Sequence, residues 1–97
     1  MPLTNAQRKY LRGLTHDLDP VVMVADKGLS DTVRAEIEQA LEHHELIKLR
    51  LRAERDQRAE WIERIRADFA ADLVHQIGQV ACYYRRNPKK PKIALPA

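Results

Sequence analysis

A chain of 97 residues can close one modest hydrophobic core but not two lobes around an enclosed cleft, so a single domain over residues 1–97 is expected. Hydrophobic residues at 44% and charged residues at 32% exclude wholesale disorder, and the lone Cys82 excludes an internal disulfide or a Cys-rich zinc site. No apolar run nears the roughly 20 residues of a bilayer span and no signal-peptide pattern opens the chain, so a cytoplasmic protein in a reducing compartment, away from membranes, is expected.

The net charge of +3 is unevenly placed. Residues 85–97 hold Arg85, Arg86, Lys89, Lys90 and Lys92 with no acid, which leaves twelve bases against fourteen acids in the remainder. This basic, proline-containing C-terminal segment on a nearly neutral body suits a polyanionic partner, although a solvated tail has the same composition.

Thr4 followed by Gln7 forms a capping-box pattern, so a first helix should begin there, carrying Arg8, Lys9 and Arg12 outward and packing through Leu11 and Leu14. Gly13 is a candidate stop for it, and Asp19-Pro20 breaks the chain before the next element. Val21–Ala25 is short and β-branched, which predicts a strand covered on both faces or nearly so. Ser30 should cap a second helix, with Val33, Ile37 and Leu41 as its apolar stripe and an end near His43.

In "LIKLRLR" (Leu46–Arg52), Ile47, Leu49 and Leu51 alternate with Lys48, Arg50 and Arg52, the period of a strand with one buried and one basic face. Asp56 is a candidate cap for a third helix that buries Ile62, Ile65 and Phe69, with Trp61 beside them. Two further strands follow, one on each side of a turn at Gly78. The order is helix, strand, helix, strand, helix, strand, strand, which predicts an α/β chain of the α+β two-layer kind. Its mixed four-stranded sheet should end in an antiparallel hairpin.

The junction Asp26–Leu29 carries the most chemistry. A strand-to-helix turn exposes free N–H groups at the positive end of a helix, Gly28 permits positive φ and Lys27 adds a cation, which together can hold a phosphate. An ordinary βα turn has the same residues, and Asp26 would repel an anion. The basic face of Lys48, Arg50 and Arg52 likewise reads either as a phosphate track or as a solvated sheet surface. Tyr83 and Tyr84 fall on opposite faces of their strand, so one should enter the core while the other either stacks on a base or, as is more common, simply fills the sheet edge. His43-His44 point in different directions at a helix end, which leaves structural or capping roles for them and no metal site. No nucleophile triad, Walker motif or dinucleotide glycine pattern is present, so no catalysis, cofactor or small-molecule substrate is expected.

Several stretches together resemble one family, the YhbY-like proteins built from a single CRM domain (chloroplast RNA splicing and ribosome maturation). They are "LRGLTHDLDPVVMV" (Leu11–Val24), "GLSDTVRAEIEQALEHHELIKLRL" (Gly28–Leu51), "HQIG" (His75–Gly78), "YYRRN" (Tyr83–Asn87) and "IALP" (Ile93–Pro96). The resemblance implies a fold like the C-terminal domain of translation initiation factor three with an added N-terminal helix. It also implies an RNA-binding module acting in ribosome assembly on precursors of the large subunit, with ribosomal RNA as partner and the chain acting as a monomer.

Members of that family carry a GxxG loop, matched here by Ala25, Asp26, Lys27 and Gly28, with alanine in place of the first glycine. A side chain at Ala25 is expected to restrict positive φ and thicken the loop. Lys27, Lys48 and Arg50 should then contribute more of the affinity. Arg8, Lys9 and Arg12 on the first helix and the Arg85-Arg86 pair should lengthen the RNA-binding track. The alternative is a protein-interaction module docking to a ribosomal protein or assembly factor without direct RNA contact.

Overall fold

The structure, a computed structural model, describes residues 3–97. Helix α1 spans Asn5–Thr15 and opens on a complete capping box. The Thr4 hydroxyl accepts from the Gln7 N–H at 3.1 Å, and the Gln7 side chain accepts from the Thr4 N–H at 3.0 Å. Gly13 does not end the helix, which continues to Thr15 because buried Leu11 and Thr15 hold its inner face on the sheet.

Strand β1 (Val22–Val24) leads to helix α2 (Asp31–His44), where Ser30 caps the Val33 N–H at 3.3 Å. Ile37 and Leu41 of α2 are fully buried. Strand β2 (Leu46–Leu51) is followed by helix α3 (Arg55–Phe69), then by β3 (Asp72–Ile77) and β4 (Val80–Tyr84). The cap of α3 is Glu54 rather than Asp56 and makes no side-chain cap bond. The helix starts two residues sooner than expected, leaving Asp56 in its first turn, where a carboxylate still favours the positive helix end.

The four strands lie in the order β1-β2-β4-β3, with β1 parallel to β2 and both β2/β4 and β3/β4 antiparallel. This is an α+β fold of three helices and a four-stranded mixed sheet. One face of the sheet packs on α2 and α3 through Val22, Val24, Leu49, Leu51, Trp61 and Ile65, among others. The opposite face holds a smaller cluster in which Leu11 of α1 meets Leu46, Val74, Cys82 and Tyr84, with Ile93 and Leu95 of the C-terminal segment against it.

That second cover is partial, and it corrects two expectations. Strand β1 is not covered on both faces: Val22 and Val24 are buried while Met23 is 50% exposed, because β1 is an edge strand beyond the reach of α1. Neither tyrosine is free to stack on a base, since both faces of β4 are covered where they lie. Tyr83 enters the α2/α3 core and donates to the Ile62 carbonyl at 2.9 Å, and burial pushes its phenol far above the usual range. Tyr84 is closed over by the α1 cluster.

Cys82 is fully buried under α1, and desolvation raises its thiol pKa. Folded protein should therefore resist thiol reagents near neutral pH while urea-unfolded protein reacts at once; equal rates in the two states would show that α1 does not stay seated.

The C-terminal segment is anchored through its backbone while its lysine side chains stay exposed. Glu45, fully buried at the junction of α2 and β2, accepts backbone N–H groups from Asn87 at 2.6 Å, Lys92 at 2.6 Å and Ile93 at 2.8 Å. Its own carbonyl accepts from the Arg85 N–H at 2.9 Å. Between these anchors the Asn87 side chain accepts from the Lys89 and Lys90 N–H groups, so the lysine loop has a defined path.

Candidate nucleic-acid interface

Because β1 and β2 are parallel and each is followed at once by a helix, their C-terminal ends bring two helix starts to one end of the sheet. In open α/β sheets ligands are held beyond the carboxyl ends of parallel strands, and β1 and β2 present such an end here. The four-residue loop sits there. The Gly28 N–H donates to the Ala25 carbonyl at 2.8 Å, closing a tight turn whose exposed tip is Asp26-Lys27.

Only the last residue of this turn needs the left-handed region: Gly28 has φ +62, whereas the non-glycine residues with positive φ are Glu45 and Ala70 among those described. Ala25 therefore stores no backbone strain, and the cost expected for its methyl group through φ does not arise. At Gly28 the constraint is the backbone angle and not space. An added Cβ would rest 3.7 Å from the Trp61 ring, ordinary contact distance. Trp61, buried on α3, is the floor beneath the loop.

The charge at the loop end is mixed, since Lys27, Arg52 and Arg55 share it with Asp26, Asp31, Glu54 and Asp56. The adjoining sheet face is different. Lys48 is half-buried while Arg50 and Arg52 are exposed, all on the side opposite the Ile47, Leu49 and Leu51 core. Among the described residues Lys9, Arg12, Lys27, Lys48, Arg50 and Arg52 form no ion pair. The helical face behaves in the opposite way, with Arg34 paired to Asp68 at 3.0 Å and Arg66 to Glu63 at 3.0 Å. Several bases on the helical side are thus neutralised, whereas Lys48, Arg50 and Arg52 are not.

Not every expected site residue joins this surface. Arg8 is half-buried and donates to the Leu73 carbonyl, which ties α1 to β3. Arg85 donates to Glu38, to Glu42 at 3.4 Å and to the Phe69 carbonyl at 3.3 Å. Its guanidinium holds the Glu38 carboxyl below the usual range. Arg85 and exposed Arg86 follow Tyr84, which pairs with Leu46, so they lie at the other end of the sheet, roughly 17 Å along the strands from the loop. The loop, Lys48 and Arg50 are brought together, with Lys9 and Arg12 exposed on the helix that covers the same face.

Two further residues belong beside the loop. Arg52 and Gln79 line a recess of about 470 Å³ together with Ala25 and Asp26. Arg52 was visible as the last member of the strand alternation. Gln79 carries no sequence signal, because only the pairing of β2 with the hairpin, where the Leu51 N–H donates to the Gln79 carbonyl at 2.6 Å, brings it there.

The fold and this surface define a small α+β module with a strand-turn-helix loop beside an unneutralised basic sheet face. The chain belongs to the CRS1 / YhbY (CRM) domain family, whose model matches residues 3–85. It is 46% identical over 93 residues to a Pseudomonas aeruginosa protein named as a probable RNA-binding protein, covering 95% of this chain and 89% of that one. It is 42% identical over 95 residues to a Haemophilus influenzae protein named as an RNA-binding protein, covering 97% and 95%. The solution structure of a Staphylococcus aureus protein matches with a TM-score of 0.82 at 31% identity, covering 98% of this chain and 100% of that one.

Proposed function

We propose that this protein binds RNA without catalysing a reaction, and that it acts as a monomer in the cytoplasm on precursors of the large ribosomal subunit. RNA as the partner is supported by the names of its relatives, and the ribosomal setting by its likeness to YhbY-type proteins. The observation that carries the reading is the run of unpaired bases, Lys48, Arg50 and Arg52, leading to the Ala25–Gly28 loop. In this reading the loop amides and Lys27 hold one phosphate while the sheet bases and Arg12 hold the neighbouring ones. Phosphate contacts of this kind place an RNA without naming its sequence.

The double variant Lys27→Ala with Arg12→Ala should bind protein-free precursor ribosomal RNA about tenfold more weakly. The slope of log affinity against log salt should become shallower by about one ion for each lost contact. Arg85→Ala should instead lower thermal stability and leave the salt slope alone, because Arg85 is occupied by Glu38 and Glu42. A folded double variant with unchanged affinity and slope would remove the loop from the interface, and wild-type protein that ignores protein-free RNA would favour docking to an assembly protein.

A further inference from the structure

The strand register sets a single row of side chains across the whole sheet on the side facing α1: Met23 opposite Arg50, Arg50 opposite Val80, and Val80 opposite Ile77. The next row, Lys48, Cys82 and His75, is partly roofed, since Cys82 is fully buried beneath α1. In the Met23–Ile77 row only Val80 is partly covered, where it packs against the α1 cluster. Met23 is 50% and Ile77 66% exposed, and Val21, beside Met23 on the same strand side, is 49% exposed. Three of the four large hydrophobic residues most exposed among those described thus lie on one sheet face, Met23 and Ile77 toward the loop end and Val21 one row further from it.

We propose that this row is a platform for unpaired bases, so that the ligand is single-stranded RNA rather than a duplex. The inference rests on the RNA-binding reading above and adds the class of RNA. A duplex turns its phosphates outward and hides its base faces, so it would press charge onto Met23 and Ile77 and gain nothing from them. Unpaired bases present apolar faces that such side chains can cover, and the Arg50 guanidinium between them can stack on a base plane. Three strand spacings make the row roughly 14 Å wide, enough for a short run of splayed bases.

The position of the loop supports the same occupant. Ala25 lies two residues beyond Met23 and shares a recess with Arg52 and Gln79. A strand whose phosphate is held at Lys27-Gly28 therefore lays its adjoining nucleotides directly onto the row. A second copy of the chain fits less well, because a two-fold contact through this face would set Lys48, Arg50 and Arg52 against themselves.

The test is the double variant Met23→Ser with Ile77→Ser, whose sites are exposed enough to leave the core intact, with circular dichroism to check the fold. Binding is measured at fixed salt to an unstructured oligoribonucleotide carrying 2-aminopurine and to a duplex of equal length. Wild-type protein should prefer the single strand by about tenfold and change the 2-aminopurine fluorescence. The variant should lose about tenfold in single-strand affinity with the salt slope unchanged, since no phosphate contact is removed. Equal binding of duplex and single strand, or a folded variant that binds like wild type, overturns the platform. So does wild-type self-association that the variant abolishes. If wild-type protein binds neither RNA, the RNA reading itself fails. If Lys27→Ala with Arg12→Ala weakens binding and Met23→Ser with Ile77→Ser does not, only the platform fails.

Discussion

Replacing Glu45 with alanine should destabilise the protein by about 3 kcal/mol and free the segment that follows Arg86, because the carboxylate is the shared acceptor for three backbone N–H groups. Without it those donors are orphaned where the segment lies against the sheet, and each orphan opposes folding. Glu45 also sits at φ 62, a conformation that favours glycine and costs other residues of order 1 kcal/mol. A residue that keeps an unfavourable angle at a fully buried position does so for its side chain. Glu45→Gly should relieve the angle yet remain less stable than wild type, and be slightly more stable than Glu45→Ala. Urea denaturation measures the order of the three, and hydrogen exchange at the Lys92 and Ile93 amides reports release of the segment. Unchanged exchange in Glu45→Ala would mean that apolar packing of Ile93 and Leu95 is enough to hold it.

Trp61→Ala should cost about 3–5 kcal/mol, as expected for truncating a large buried aromatic side chain. The consequence for the site is local. The ring lies beneath Gly28, so its loss removes the surface that fixes the turn closed by the Gly28–Ala25 hydrogen bond. Trp61→Phe separates the two effects, because the smaller ring can stay in the core while withdrawing from the loop. It should leave the fold cooperative, speed hydrogen exchange at Gly28 and lower RNA affinity severalfold. A Trp61→Phe protein with wild-type Gly28 protection would show that the turn is held by its own hydrogen bond and the helix start alone.

The elements themselves were legible because they rest on local chemistry. Thr4 and Gln7 close a box across one turn, Ser30 caps the helix it precedes, and Leu46–Arg52 alternates with the period of a pleated strand. The Ala25–Gly28 loop was legible for the same reason, as a glycine between a short apolar strand and a capped helix. Misreadings occurred where a residue's state depends on what lies across the sheet. Tyr84 reads as a strand residue with one open side and Met23 as one in a strand covered on both faces, yet α1 and the C-terminal segment cover Tyr84 and leave Met23 bare. Arg85 reads as part of a basic tail, but α2 places Glu38 and Glu42 against it.

By itself the sequence determined the order and kind of the elements, the turn with its glycine and lysine, and the basic alternation of β2, because each of these is written within a few residues of chain. Only the tertiary structure decided which bases stay unpaired, that Glu45 gathers a segment more than forty residues away, and that Met23, Arg50, Val80 and Ile77 align in one row. Those facts depend on strand order and register, which long-range packing sets and no short stretch of residues encodes.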